Sequence, residues 1–173
     1  MKQYAVVVIF DNDAQRKINE LINYAAQVTG NGYMLAQNIP PHITIASFYD
    51  EDESRIADAI DENITLFKRG DVSFSELGSF PPAVIFLAPK LSEYLIELNL
   101  TVNSIVPEDI RRADFYVPGR WFPHCSLAVR LEGVEKPLEQ LTERFAPLTA
   151  EVCRIDFAEC EPYRVVGSWE IKN

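Results

Sequence analysis

At 173 residues, with 47% hydrophobic and 24% charged residues, the chain has the size and balance of one soluble globular unit with a real core. A net charge of −10 gives it no general attraction for a polyanion. That argues against tight binding to long duplex nucleic acid and leaves room for a small anion in a locally basic cleft.

Residues 4–10 (YAVVVIF) form an apolar, β-branched run that predicts a buried strand. A helix follows, with Asp11 or Asp13 as its cap, Ile18, Leu21, Ile22, Ala25 and Val28 on one face, and Gly30 closing it. HITIASF, from His42 to Phe48, predicts a second strand. Residues 50–70 predict a helix that starts acidic and ends basic, as the helix dipole prefers. The acidic run at 50–53 reads simply as its start. Residues 72–80 and 83–89 predict two strands around the turn at Pro81 and Pro82.

The order then repeats. A helix is predicted over 90–105, a loop follows, and HCSLAVR, from His124 to Arg130, predicts a strand. A helix over 137–148 and strands over 149–160 and 163–171 complete the chain. The repeat predicts one internally duplicated α+β domain of two pseudo-symmetric lobes, with antiparallel sheets and outer helices around a central cleft. About 1–82 would carry HITI and about 83–173 would carry HCSL, and the pattern allows the lobes to exchange strands.

The three cysteines, Cys125, Cys153 and Cys160, are odd in number and lack metal-finger spacing. They read as structural thiols of a reducing compartment. Cys125 points away from its motif face. No apolar run approaches the ~20 residues of a membrane span, and the expected location is the cytoplasm.

The only two histidines, His42 and His124, each follow a proline and each precede Thr44 or Ser126 by two positions. Ser and Thr make up 15 of the 173 residues. Meeting the hydroxyl condition at both histidines by chance is therefore roughly a one-in-130 event. A lone strand histidine is most often a satisfied structural group; the duplication raises the functional reading above that one. Side chains alternate along a strand, so His42 shares a face with Thr44, and His124 with Ser126.

Two imidazoles facing each other across a cleft suit in-line phosphoryl transfer, which needs a base on the entering side and an acid on the leaving side. Hydroxyls can donate to the non-bridging oxygens. A cyclic phosphodiester fits well, because its leaving oxygen stays tethered beside the acid. Two histidines without a carboxylate motif make a weak metal site, so no metal and no cofactor are expected.

HITI and HCSL resemble the paired His-x-Thr/Ser-x motifs of the two-histidine (2H) phosphoesterase superfamily, which includes LigT-like 2′-5′ RNA ligase proteins and cyclic nucleotide phosphodiesterases. The resemblance implies a metal-independent phosphoesterase that opens or forms phosphodiesters of a 2′-oxygen, often 2′,3′-cyclic phosphates. It implies His42 and His124 as the acid–base pair, with Thr44 and Ser126 holding the phosphate. LigT-like members usually end the second motif in Leu-Ala-Arg; here Val129 takes that place and Arg130 arrives one residue later. The first motif runs into Ser47-Phe48-Tyr49-Asp50 instead of Phe-Leu-Gly.

Residues 111–130 carry four arginines and one Asp, a local +3 beside the second motif. Arg120 is a candidate for the substrate anion. Arg130 is another, on the face of His124 and Ser126 if the strand stays regular. Tyr116 and Trp121 in that loop, with Phe48 and Tyr49 after the first motif, are candidates to stack on a base. The expected ligand is a small nucleotide or an RNA end, and the expected state a monomer. The rival reading is a module that binds a nucleotide in the same cleft without turnover; a weaker third is an interaction scaffold with no ligand in the cleft.

Overall fold

The fold is described from a computed structural model, over residues 1–172. Strand β1 (Lys2–Phe10) leads into helix α1 (Asn12–Thr29). Asp11 caps that helix through the backbone amides of Asp13 and Ala14, and Gly30 ends it in the left-handed conformation that glycine tolerates best. A one-turn helix, α2 (Tyr33–Ala36), precedes β2 (His42–Asp50), and α3 (Ser54–Asn63) follows. The hairpin β3 (Gly70–Phe80) and β4 (Val84–Pro89) leads to α4 (Glu93–Ile105). After α4 come the two-residue strand β5 (Arg111–Arg112), a 3₁₀ turn at Asp114–Tyr116, and β6 (Cys125–Ala128). Helix α5 (Glu135–Arg144) and the hairpin β7 (Leu148–Glu159) and β8 (Arg164–Glu170) finish the chain.

All strand pairs are antiparallel. The strands join in one sheet ordered β5-β2-β1-β7-β3-β4-β6, with β8 also on β7. The long strand β7 makes this continuity. Its residues 148–152 pair with β3, and its residues 154–159 pair with β8. Thus β3, β4 and β6 extend from one edge of β7, which β8 shares, while β1, β2 and β5 extend from its other edge. The separate sheets read from the sequence are one sheet here, because a strand of 12 residues is long enough to serve both halves.

One face of the sheet is covered by helices and holds the core. Tyr4, Val6, Val8 and Phe10 of β1 pack there with Ile18 and Ile22 of α1 and with Ile43, Ile45, Ala46 and Phe48 of β2. Each fully buried aliphatic side chain of this kind contributes about 1.5–3 kcal/mol. On the other face of β1, Ala5, Val7 and Ile9 form a small separate cluster. That face also carries His42 and Thr44, which pair with Ile9 and Val7. No helix among the described residues is long and apolar enough to cross a membrane.

Both motif strands slip register by one residue at the same motif position. In β2, Thr44 pairs with Val7 but Ala46 pairs with Val6, so Ile45 is the extra residue. In β6, Ser126 pairs with Phe86 but Ala128 pairs with Ile85, so Leu127 is the extra residue. A bulge of this kind reverses side-chain parity beyond it. Ile45 and Ala46 therefore both face the core, as do Leu127 and Ala128.

Candidate active site

The two histidines are held by the same device. The Nδ1 atom of His42 lies 2.8 Å from the Pro40 carbonyl oxygen, and that of His124 lies 2.9 Å from the Phe122 carbonyl oxygen. A carbonyl can only accept, so each ring donates from Nδ1 and keeps Nε2 as its basic nitrogen. The proline between carbonyl and histidine explains the repeated Pro-His. Proline fixes its own φ and holds the preceding residue extended, which sets the direction of that carbonyl.

Strands β2 and β6 approach without pairing, with Cα atoms within 8 Å of each other. Burial is the main cause that lowers the pKa of His42, and a charge on His124 lowers it further. The Pro40 carbonyl and Asp156 oppose that shift. Burial likewise lowers the pKa of His124. Asp156 stands on the same sheet face, paired to Val7, and is held by Arg154 at 2.8 Å and by the Ser168 hydroxyl at 2.6 Å.

These shifts fix a sign for stability. Both imidazoles have folded-state pKa values below their unfolded value of about 6.5. The unfolded chain therefore binds protons first as pH falls, and the folded state loses stability below about pH 6.5. Thermal melts at pH 7.5 and pH 5.5 should show a lower Tm at the acid value, and His42→Gln should shrink the difference. An unchanged difference in that variant would contradict the assigned shift.

The first motif is clamped from the second half of the chain. The Trp121 indole Nε1 donates to the Thr44 carbonyl at 3.0 Å. One residue on, the buried Asn99 amide donates from Nδ2 to the Ile45 carbonyl at 2.7 Å and to the Tyr116 carbonyl at 2.9 Å. The Thr44 and Ile45 carbonyls belong to the bulge, where the ladder with β1 is interrupted. Asn103 adds a bond from Nδ2 to the Tyr116 carbonyl at 3.2 Å.

His124 borders a cavity of about 490 Å³ lined by Phe80, Val84, Phe115, Tyr116, Arg120 and Phe122. The Phe80 ring packs edge-on to His124 with centroids 5.1 Å apart, and Phe86 lies 5.3 Å away. A Cβ on Gly78 would fall 2.4 Å from the Phe86 ring, so glycine there lets that ring lie flat across the sheet. A larger cavity of about 700 Å³ is lined by Tyr24, Asn31, Arg130 and Lys136, and neither histidine borders it.

The candidate residues thus divide. His42, Thr44, His124 and Ser126 are half-buried. Thr44 and Ser126 pair with Val7 and Phe86 ahead of each slip. Tyr116 and Arg120 line the cavity beside His124. Tyr49 is half-buried, with the Arg111 guanidinium 4.8 Å above its ring. Trp121 is a clamp on β2, its N–H already engaged.

Two candidates are corrected. Phe48 is fully buried in the core and offers no stacking face. Arg130 lies beyond the end of β6 with φ 59°, packs 4.0 Å from the Tyr33 ring centroid and pairs with Glu161. The causes differ: Phe48 lies in β2 past the bulge that reverses side-chain parity, whereas Arg130 has left the strand and adopts a left-handed backbone to which strand parity does not apply. Phe80, Phe86, Phe115 and Asn99 were not singled out by the sequence. The aromatic flanks of the Pro81-Pro82 turn were the available signal for the first two.

Among the described residues, no group of three or more His, Cys, Asp or Glu side chains is arranged to hold a metal ion. The three cysteines are free thiols; burial raises that of Cys125 to about 12, far from a reactive thiolate.

A family model for the 2′-5′ RNA ligase superfamily matches residues 11–162. The chain belongs to that superfamily. This agrees with the 2H phosphoesterase resemblance of the paired motifs. No curated protein sequence matches the chain. Among solved structures, E. coli LigT complexed with 3′-AMP has a TM-score of 0.67 at 9% identity, covering 99% of each chain. A structure described as a phosphoesterase has a TM-score of 0.66 at 11% identity, also covering 99% of each chain. The protein TT0787 of Thermus thermophilus has a TM-score of 0.62 at 14% identity, covering 98% of this chain and 97% of its own. At these identities the likeness is one of fold, shared by these structures and this chain along nearly their whole length.

Proposed function

We propose that the protein is a metal-independent 2H phosphoesterase acting on a phosphodiester of a 2′-oxygen, such as a 2′,3′-cyclic phosphate on a nucleotide or an RNA end. The observation that carries this reading is the mirrored pair of imidazoles. Each donates from Nδ1 to the carbonyl two residues back, and each keeps its Nε2 free. The hydroxyl two residues on stands ahead of the same register slip in both strands. E. coli LigT has been solved with 3′-AMP, ATP, NADP+ and phosphate, which supports a nucleotide-sized ligand in this fold.

In the proposed hydrolysis one imidazole takes a proton from the attacking water as its oxygen bonds to phosphorus. The bond from phosphorus to the tethered ribose oxygen breaks, and the other imidazole protonates that oxygen. Thr44 and Ser126 donate hydrogen bonds to the non-bridging oxygens as charge gathers there. The product is a phosphomonoester, and the two histidines exchange one proton with solvent to reset. Tyr116, Phe122 and Phe80 supply an apolar wall for the base.

Because acid and base are both imidazoles, chelation should leave the rate alone. After dialysis against EDTA, turnover of a 2′,3′-cyclic nucleotide should stay within about twofold of the untreated rate. A tenfold loss restored by a divalent metal would overturn the metal-independent reading. Binding with no turnover of any such ester would favour the nucleotide-binding module instead.

A further inference from the structure

The His124 cavity carries an exposed aromatic ring in addition to the Phe80, Tyr116 and Phe122 wall assigned above to one base. Phe115 is 72% exposed, the most exposed aromatic among the described residues, and it sits in the 3₁₀ turn Asp114–Tyr116. Its ring is separate from the Phe80, Phe86 and Phe122 cluster that packs around His124. Exposure of one phenylalanine is ordinary; its rigid mounting is not. The Tyr116 amide donates to Ala113, the Ala113 amide donates to Ser47 of β2, and Asn99 and Asn103 hold the Tyr116 carbonyl. The backbone that carries the ring is therefore held at the cavity.

Charge points the same way. The Arg120 guanidinium lies 5.6 Å over the Phe115 ring and forms no ion pair among the described residues. Arg111 is also free of an acidic partner among them and lies over Tyr49. In a chain of net charge −10, Arg120 at the cavity places an exposed cation beside an exposed aromatic face, a pair suited to a phosphate backbone with an unstacked base. The cavity of about 490 Å³ also exceeds what one nucleobase occupies.

We propose that Phe115 and Arg120 form a second stacking and phosphate-contact site, for the nucleotide next to the one whose phosphate reacts, so that the preferred ligand is a single-stranded chain of at least two nucleotides. This rests on the nucleotide-directed reading of the cleft. Paired bases are excluded, since a base in a duplex has no free face for Phe115.

Calorimetric titration with two ligands that lack the reacting cyclic ester tests it: 3′-AMP, and the dinucleotide ApA with a 3′-phosphate. The parent should bind the dinucleotide about tenfold or more tightly than 3′-AMP, the usual scale of one base–aromatic stack. Phe115→Ala should bring the two affinities within about twofold, and Phe115→Trp should keep the preference. Phe115 is surface-exposed, so neither variant should disturb folding. Equal affinities in the parent, or a preference that survives Phe115→Ala, would overturn the second site and leave the nucleotide cleft standing. Failure of both ligands to bind would overturn the cleft as well, and the exposed aromatic rim would then be a protein-docking face.

Discussion

Replacing His42 or His124 by alanine is expected to lower turnover of a cyclic phosphodiester by roughly 10²–10⁴-fold, the usual contribution of a positioned acid or base. The symmetry of the site makes the prediction stronger than for one histidine. Each ring makes one structural hydrogen bond, to a carbonyl two residues away in its own chain segment. Neither ring bridges elements by a hydrogen bond, and since His124 also packs on Phe80 and Phe86, the melts separate any loss of stability from a loss of catalysis. The double variant should lose little more than the worse single one, because acid and base act on one transition state. Steady-state rates with parallel thermal melts check this. Losses below tenfold in both single variants, with melts unchanged, would remove these residues from the mechanism.

Asn99→Leu is expected to destabilise the fold by about 1–3 kcal/mol, the cost of leaving a buried carbonyl without its donor. Asn99 is 3% exposed on α4, and its two amide hydrogens reach the Ile45 and Tyr116 carbonyls. Tyr116 keeps a bond from Asn103, but the Ile45 carbonyl belongs to a bulge residue outside the ladder with β1. Leucine fills the same space and donates nothing. For a chain of this length the loss lowers Tm by about 3–10 °C. Turnover should fall too, because the same amide ties the first motif strand to the wall of the His124 cavity. A melt within 1 °C of the parent, with full activity, would show that the clamp is not needed.

Much of this is legible in the sequence alone. The β1 and α1 pairing followed from an apolar run, a capping Asp and a terminal Gly, all local signals. Strand parity places His42 with Thr44, and it holds there because both precede the slip; His124, just ahead of β6, packs on Phe86, the partner of Ser126. The same rule failed for Arg130, and Phe48 lies past the other slip. A bulge has no simple mark in sequence; Ile45 and Leu127 are ordinary strand residues. The two-residue strand β5 and the one-turn helix α2 are too short for periodicity to show. Asn99 carries no local mark in the sequence, because its role depends on carbonyls 54 and 17 residues away. Continuity of the sheet through β7 is a long-range pairing that no local pattern encodes.

That the two histidines open a cyclic phosphodiester is tested most directly by ³¹P NMR of the EDTA-treated protein with the four nucleoside 2′,3′-cyclic phosphates, run beside His42→Ala. The expected result is a new phosphomonoester signal with the parent and none with the variant over the same time, its chemical shift showing which ribose oxygen is released. No monoester from any of the four with the parent, or equal formation by the variant, would contradict the account.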